Sequence, residues 1–407
     1  MCWARVMSRA SAWRSARRSA ASRARRPRAM SAANPRLEEL VAEAQRVLAI
    51  CNACRYCEGY CATFPALERR LSFSEPDIHY LANLCHNCGA CLYACQYAPP
   101  HEFQLNFPKV LARVRLQTYR KYAWPGFLGR AFERNGLTTA LALAAGIAML
   151  FVFIALVSDP AKLFQSFTDA QGSFYAVLPH GAMAGLFGAV SLFVLLALGM
   201  GFARFWSDLE EPPGEFLKPV SFAEALHDAL TLKYLDGGGD GCTQPDQERS
   251  PARRVFHHFT FYGFLLCLAA TSVATVYHYA FGWKAPYAMT SVPVLLGMAG
   301  GVGLLIGPAG LFMNGLRRDR DLGDPGFTGM NVGFLALLFL TSATGLGLLF
   351  FRETRAMGLL LAVHLGAVLA LFVTLPYGKF VHAVYRFAAL VRFHLERRRP
   401  VEGIAPE

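Results

Sequence analysis

The chain has 407 residues, of which 54% are hydrophobic, and a formal net charge of +12. This hydrophobic fraction excludes an ordinary water-soluble enzyme, and the apolar residues are concentrated after residue 136, so two regions of different class are expected. Nucleic-acid binding is set aside as the cause of the basicity, because the sequence contains no basic groove pattern with interleaved aromatic residues.

Residues 1–34 form an arginine-rich N-terminus that is predicted to be disordered. The first thirty residues contain nine arginines and no acidic residue, and they lack an apolar stretch that could form the core of a signal peptide. A mitochondrial-type presequence and a start codon misassigned upstream of Met30 both remain open as explanations. Neither bears on the chemistry.

Residues 35–130 are predicted to form a ferredoxin-like domain with two iron–sulfur clusters. Eight of the eleven cysteines occur there in two runs of identical spacing, Cys51-x2-Cys54-x2-Cys57-x3-Cys61 and Cys85-x2-Cys88-x2-Cys91-x3-Cys95. Three thiolates on such a tight loop bind one face of a [4Fe–4S] cube, and in two-cluster ferredoxins the other run supplies the fourth ligand. The expected ligand sets are Cys51, Cys54, Cys57 and Cys95 for one cluster, and Cys85, Cys88, Cys91 and Cys61 for the other.

Zinc knuckles and disulfides are the alternatives for these cysteines. Zinc knuckles would use tetrads built from pairs of cysteines, and disulfides compete poorly in a cytoplasmic domain with such dense spacing. Bacterial ferredoxins usually have proline after the fourth cysteine, whereas Ala62 and Gln96 follow it here. Apolar residues at helical spacing in Leu37–Ile50 favour an α-helical ferredoxin module over the small β-rich one.

Residues 131–395 are predicted to form a membrane domain with six spans. Each span is a stretch of about 20 or more residues without Asp, Glu, Lys or Arg, which is long enough to cross ~30 Å of hydrocarbon. The spans are Leu137–Val157, Ala176–Ala203, Val255–Trp283, Ala285–Leu316, Gly326–Phe351 and Ala356–Gly378. A cytoplasmic loop at 204–254 separates spans two and three, and residues 396–407 form a basic C-terminal tail.

Lysine and arginine residues beside the spans predict the orientation of the chain. They are abundant before span one, after spans two and four, and in the tail, whereas the intervening loops hold only Lys162, Lys284, Arg352 and Arg355. Both termini and the cluster domain should therefore face the cytoplasm.

Histidines are the ionisable residues within the predicted spans, and their positions predict haem ligation. His180 lies at the start of span two, and His257, His258 and His278 lie in span three. His364 lies in span six, and His382 is expected to continue the same helix just beyond Gly378. Ionisable groups in lipid are usually functional, although some histidines are simply interfacial. His364 and His382 are 18 residues apart, so both would leave the same face of one helix, separated by roughly 27 Å.

With spans three and six antiparallel, His257 or His258 would meet His382 on the cytoplasmic side, and His278 would meet His364 on the outer side. This is how membrane cytochromes hold one or two b-type haems by bis-histidine ligation. His258 is preferred over His257, and His180 is the alternative to His278. The expected fold class is therefore all-α, with an α-helical two-[4Fe–4S] module followed by a six-span bundle of di-haem cytochrome b type.

The loop at 204–254 ends in a glycine-rich run, Asp236-Gly-Gly-Gly-Asp-Gly-Cys242. A phosphate-binding loop needs a preceding strand and a following helix, and neither pattern is present. We expect this loop to pack on the cluster domain or on a partner. Cys242 and Cys267 are expected to be ordinary thiols.

Four segments resemble the tricarballylate/citrate utilisation protein B family. They are CNACRYCEGYCATFPALERR (51–70), YLANLCHNCGACLYACQYAPPHEFQLNFPKV (80–110), DALTLKYLDGGGDGC (228–242) and RRVFHHFTFYGFLLCLAATSVATVYHY (253–279). The likeness extends over most of residues 35–395. The histidine layout of the membrane half is also similar to that of the gamma subunit of respiratory nitrate reductase, a fold-level analogy.

The resemblance implies an electron-transfer subunit of the bacterial inner membrane rather than a stand-alone catalyst. Such a protein reoxidises the flavin of a separate FAD-dependent dehydrogenase, acting on tricarballylate or a citrate-like acid, and passes electrons to the quinone pool. The chain has no GxGxxG start of a Rossmann fold, so the flavin should belong to the partner. Quinol oxidation feeding a cytoplasmic reductase is the alternative within redox chemistry, and a membrane anchor or transporter with a cluster sensor is the alternative from another class.

Overall fold

The computed structural model describes residues 37–132, 135–167, 173–239, 241–246 and 248–400. These residues are almost entirely helical, which confirms the all-α prediction. The N-terminus at 1–34, predicted to be disordered, lies outside the described residues, and so does the tail beyond residue 400.

The described residues form fifteen α-helices and one two-stranded sheet, with five short 3-10 helices between them. In chain order the elements are α1 (Leu37–Cys54), α2 (Thr63–Leu67), α3 (Glu75–Leu84), α4 (Ala90–Ala94), α5 (Phe107–Lys121), α6 (Gly126–Ala131), α7 (Asn135–Val157), α8 (Ser173–Val177), α9 (His180–Asp208), α10 (Pro219–Leu230), β1 (Cys242–Thr243), β2 (Arg249–Ser250), α11 (Ala252–Phe281), α12 (Val292–Arg317), α13 (Gly326–Phe350), α14 (Met357–Thr374) and α15 (Val381–Glu396). Strands β1 and β2 pair antiparallel.

The cysteine-rich part is built from α1 to α5. Helix α1 buries Leu40, Ala44, Val47 and Leu48, the apolar residues whose spacing predicts a helix, and its last turn carries Cys51. Helix α3 begins at a capping box formed by Ser74 and Asp77, followed by a proline in the first turn. The helical character expected of this module is confirmed.

Six of the helices are long and apolar enough to cross a membrane, as predicted. They are α7, α9, α11, α12, α13 and α14. Helix α12 begins at Val292 rather than at residue 285, because Gly282 ends α11 in a left-handed conformation (φ +70°) and Pro293 fits only the first turn of the next helix.

The prediction that His364 and His382 share one helix is wrong. Helix α14 ends at Thr374, and His382 is the second residue of the separate helix α15. Pro376 stands in the intervening turn, where its ring and its missing N–H prevent the helix from continuing. The hydropathy of Ala356–Gly378 is continuous across this break, so composition alone did not reveal it.

Small residues allow the membrane helices to pack closely. A Cβ atom on Gly307 of α12 would lie 2.4 Å from Thr260 Oγ1 of α11, and one on Gly300 would lie 2.8 Å from the Cys267 sulfur. A Cβ on Gly146 of α7 would similarly lie 2.6 Å from the carbonyl oxygen of Gly366 in α14. Backbone contact at such positions is the usual way in which apolar helices associate without a hydrophobic driving force.

Helix α15 and the cysteine-rich part pack together through a buried charge network. Glu396 is 8% exposed, and its carboxylate accepts hydrogen bonds from the Arg70 guanidinium group and from the Tyr80 hydroxyl, which is 2.9 Å away. Arg392, one turn earlier on α15, also pairs with Glu396 at 3.0 Å. Helix α15 thereby joins the cysteine-rich part to the membrane helices.

The loop at 204–254 packs on the cysteine-rich part, as expected. The Thr243 N–H donates to the Cys88 carbonyl at 3.3 Å, and a Cβ on Gly238 would lie 3.1 Å from the Tyr60 ring. Gly238 and Gly241 have φ of +95° and +101°, conformations that favour glycine. The glycine-rich run therefore follows a tightly turned path against Tyr60 of the first cysteine run, and Thr243 after it contacts the second run.

Candidate metal centres

The first set of thiols combines three cysteines of the first run with the last cysteine of the second. Cys51 and Cys54 lie at the end of α1, Cys57 follows in the next turn, and Cys95 directly follows α4. Burial raises the pKa of Cys57 to about 12, with further contributions from the Cys95 and Cys54 thiols. The pKa of Cys51 is raised by burial and then by Cys95, Cys57 and Cys54. These four sulfurs are thus electrostatic neighbours.

The second set surrounds one cavity. Cys61 from the first run and Cys85, Cys88 and Cys91 from the second all line it, together with apolar side chains that include Phe64. Burial raises the pKa of Cys61 to about 11 and that of Cys88 to about 12, and in each case the largest contribution after burial comes from a thiol of the other run. The two runs therefore exchange their fourth cysteines in space.

Both sets have the chemistry of an iron–sulfur site. Within the described parts of the chain, no three His, Cys, Asp or Glu side chains converge closely enough to hold a single metal ion. A cube presents four separate irons, so its four thiolates bind different atoms and need not converge. The four thiols of each set fit such a group, and the described residues that line the cavity at the second set include no carboxylate.

Backbone amides also point at the second set of sulfurs. The Ala90 N–H hydrogen-bonds to the Cys88 sulfur, and the Thr63 and Phe64 N–H groups hydrogen-bond to the Cys61 sulfur, which lowers the pKa of each thiol against the effect of burial. N–H groups aimed at sulfur stabilise negative charge there and set the reduction potential of a bound cluster.

A pair of histidines faces each other where α11 begins and α15 begins. The ring centroids of His257 and His382 are 6.2 Å apart, with an interplanar angle of 81°. Two imidazoles bound to opposite sides of one metal ion, at about 2.0 Å from each nitrogen, would have centroids roughly 6 Å apart. His382 Nδ1 donates to the Lys379 carbonyl, so its Nε2 is free to act as a ligand. The pair fits bis-histidine ligation.

The structure favours His257 over His258, the residue preferred from the sequence. The His258 ring lies 5.8 Å from the ring of Tyr262 and is hydrogen-bonded to the backbone carbonyls of Leu230 and Thr231. Consecutive side chains on a helix point about 100° apart, so only one of the two histidines can face α15.

The outer histidines are arranged differently from the prediction. The His278 ring is stacked on that of His180, with centroids 3.7 Å apart and an interplanar angle of 15°. The predicted meeting of His278 with His364 is not found among the described ring contacts of His278, which are with Tyr175, His180 and Tyr279. Helix α9, rather than α14, brings its histidine to the end of α11.

His364 lies between α14 and α13, where neighbouring groups fix the orientation of its ring. Its Nδ1 lies 3.1 Å from the Thr341 carbonyl and 3.2 Å from Thr344 Oγ1. A Cβ on Gly345 would lie 2.9 Å from the imidazole, so a glycine is needed to admit the ring. Donation from Nδ1 to the carbonyl leaves Nε2 free, as a metal-binding histidine requires.

The sequence did not single out four arginines that contact the second cysteine run. They are Arg115, Arg253, Arg318 and Arg386. Arg115 is only 4% exposed in α5, a helix with a clear apolar face. An arginine at a position on the apolar face of a helix was the sequence signal that could have identified Arg115.

These features define a helical protein with six membrane-type helices and an N-terminal ferredoxin-like module. Residues 133–403 match the family model "Citrate utilization protein B", and residues 44–121 match the model of its Fer4-like domain. The chain belongs to the citrate utilization protein B family, which confirms the resemblance noted from the sequence.

A curated relative agrees with this assignment. The chain is 53% identical to Citrate utilization protein B of Escherichia coli over 364 residues, which cover 89% of this chain and 94% of that protein. No solved structure matches the chain. The Fer4-like domain indicates iron–sulfur binding and a role in electron transfer.

Proposed function

We propose that this chain carries electrons from the reduced flavin of a separate dehydrogenase, acting on tricarballylate or a citrate-like acid, to the membrane quinone pool. The observation that carries the proposal is the pair of four-thiol sets, the second of which is connected to the facing imidazoles of His257 and His382 through Arg253 and Arg386. When bound, two [4Fe–4S] clusters and b-type haem would supply one-electron steps that divide the electron pair of a reduced flavin.

Each centre has its own residues in this proposal. Cys51, Cys54, Cys57 and Cys95 hold the first cluster, Cys61, Cys85, Cys88 and Cys91 hold the second, and His257 and His382 hold the inner haem. An outer haem would draw its ligands from His364, His278 and His180. Two nearly parallel rings 3.7 Å apart cannot occupy opposite sides of one iron, so His278 and His180 would not form an axial pair with each other.

The order of the centres is supported by two hydrogen bonds to the second cysteine run. Arg253 lies four residues before His257 in α11 and donates to the Asn87 carbonyl at 2.8 Å. Arg386 lies four residues after His382 in α15 and donates to the Cys85 carbonyl at 3.0 Å. Four helical residues span about 6 Å, so the second thiol set lies near the histidine pair.

The first thiol set is the proposed entry point. Tyr56, between Cys54 and Cys57, is 69% exposed, so a partner protein can approach this end. The flavoprotein would dock here, on the cytoplasmic side of a bacterial inner membrane, as the distribution of Lys and Arg predicts. Electrons would then pass from the first set to the second, on to the histidines, and finally to quinone.

A redox-difference spectrum of the purified full-length chain in detergent tests this function. With tricarballylate alone we expect no change, since the chain has no flavin of its own. Dithionite should produce a b-type α-band, and a soluble quinone should then bleach it. The Cys267→Ser variant, which alters a thiol outside both sets, should behave like the wild type. A featureless spectrum, or a reduced band that quinone leaves unchanged, would rule the proposal out.

A further inference from the structure

Four arginines from four different parts of the chain converge on the second cysteine run. Arg115 and Arg386 donate to the Cys85 carbonyl, while Arg253 and Arg318 donate to the Asn87 carbonyl. Arg318, just after α12, also donates to Asn87 Oδ1 at 2.7 Å. The loop between Cys85 and Cys88 is thus held by cationic side chains from α5, α11, α15 and the end of α12.

Within the described part of the chain, these four charges have no carboxylate partner. Among the described residues, none of the four forms an ion pair with Asp or Glu, whereas Arg70, Arg392 and Arg399 all do. A partly buried cation without an anion is costly, so positions that hold four of them need a compensating negative charge. The acidic groups within electrostatic range of Arg318 are the Cys242 and Cys88 thiols, and those of Arg386 are the Tyr119 phenol and the Cys85 thiol.

The first thiol set has a different charge environment. Arg55 is the cation of its loop, and the carboxylates of Glu58 and Glu68 lie within electrostatic range of one another and of Arg55. The Arg55 side chain donates to the Asn52 carbonyl, and Gln96 Nε2 lies 3.9 Å from the Cys54 sulfur. Positive charge is therefore concentrated at one of the two sets.

We propose that Arg115, Arg253, Arg318 and Arg386 are positioning residues that raise the reduction potential of the second cluster above that of the first. Reduction adds one negative charge to a cluster, and a nearby positive charge stabilises the reduced form. With clusters bound, one electron would pass from the set of Cys51, Cys54, Cys57 and Cys95, oxidising the cluster held there, to the set of Cys61, Cys85, Cys88 and Cys91, reducing the cluster held there, with no proton or bond exchanged. This inference rests on the proposed function and adds to it the direction of electron transfer between the two clusters.

A redox titration of the full-length protein in detergent, followed by electron paramagnetic resonance, tests the role of these arginines. Arg318→Gln and Arg386→Gln remove one charge each, and Arg318→Lys and Arg386→Lys preserve it. Arg254→Gln is the matched control, because Arg254 neighbours Arg253 in sequence but donates to the Thr231 carbonyl and lies 3.6 Å from the Asp236 carboxylate.

We expect each glutamine variant to shift the second cluster to a lower potential, with the first cluster and the Arg254→Gln protein unchanged. The lysine variants should stay near the wild-type potential. An unshifted second cluster in a loaded glutamine variant, or an equal shift of both clusters, would overturn the inference. If neither glutamine variant retains the second cluster, the lysine variants test the inference. Each of them must then bind the second cluster, and the reduction potential of that cluster must match the wild-type value. Absence of clusters from the wild type would instead contradict the proposed function.

Discussion

Replacing Cys61 with serine should remove the second cluster and leave the first intact. Cys61 belongs to the first run by sequence, but it lines the same cavity as Cys85, Cys88 and Cys91. A serine hydroxyl is a poor ligand for iron compared with a thiolate, so the variant should lose about half of its cluster iron. Electron paramagnetic resonance of the reduced protein, with iron analysis, measures this loss.

The mirror variant makes the test sharper. Cys95→Ser should damage the first cluster, because Cys95 lies close to Cys51 and Cys57. After burial, the Cys95 thiol makes the largest contribution to the raised pKa of both. Cys267→Ser is the control and should retain both signals. If each run instead held its own cluster, the two outcomes would be exchanged, with Cys61→Ser affecting the first cluster and Cys95→Ser the second.

Loss of His257 or of His382 should remove the same haem. Their rings face each other at a separation suited to opposite sides of one iron, so removing either ligand leaves a weakly held haem. A pyridine haemochrome assay should show about one haem fewer per chain in His257→Ala and in His382→Ala, and the double variant should lose no more than either single variant.

His258→Ala is the matched control for this experiment. His258 is adjacent to His257 but faces Tyr262 and the end of α10, so its removal should leave the haem content unchanged. Normal haem content in His257→Ala, with a loss in His258→Ala, would contradict the assignment and restore the choice made from the sequence.

The cysteine sets could be predicted because their information is local. The spacing of each run fixes which three thiols share a loop, and the exchange of the fourth is expected from the pattern of two-cluster ferredoxins. The membrane helices were equally predictable, since a long apolar stretch has few alternatives to a span. Both predictions depend on residues close together in the sequence.

The histidine pairings depended partly on Pro376, a local signal that hydropathy does not register, and partly on packing, which the sequence does not carry locally. Pro376 divides the last apolar stretch, so His364 and His382 belong to different helices. Which helix lies beside the end of α11 is decided by packing, and α9 provides His180 there instead of α14 providing His364. Hydropathy reports burial in lipid but says nothing about neighbours.

The arginines around the second cysteine run show a similar limit. By composition, Arg253 and Arg318 are ordinary residues at the boundary of a membrane span. Only the fold shows that both donate to the Asn87 carbonyl. A charge count beside the spans predicts orientation, and the contacts add a second role to the same side chains.

The iron content of the purified chain tests the central claim most directly. After anaerobic isolation in detergent, we predict about eight non-haem irons per chain, with a similar amount of acid-labile sulfide, in addition to haem iron. A colourless protein, or one that carries zinc alone, would contradict the account.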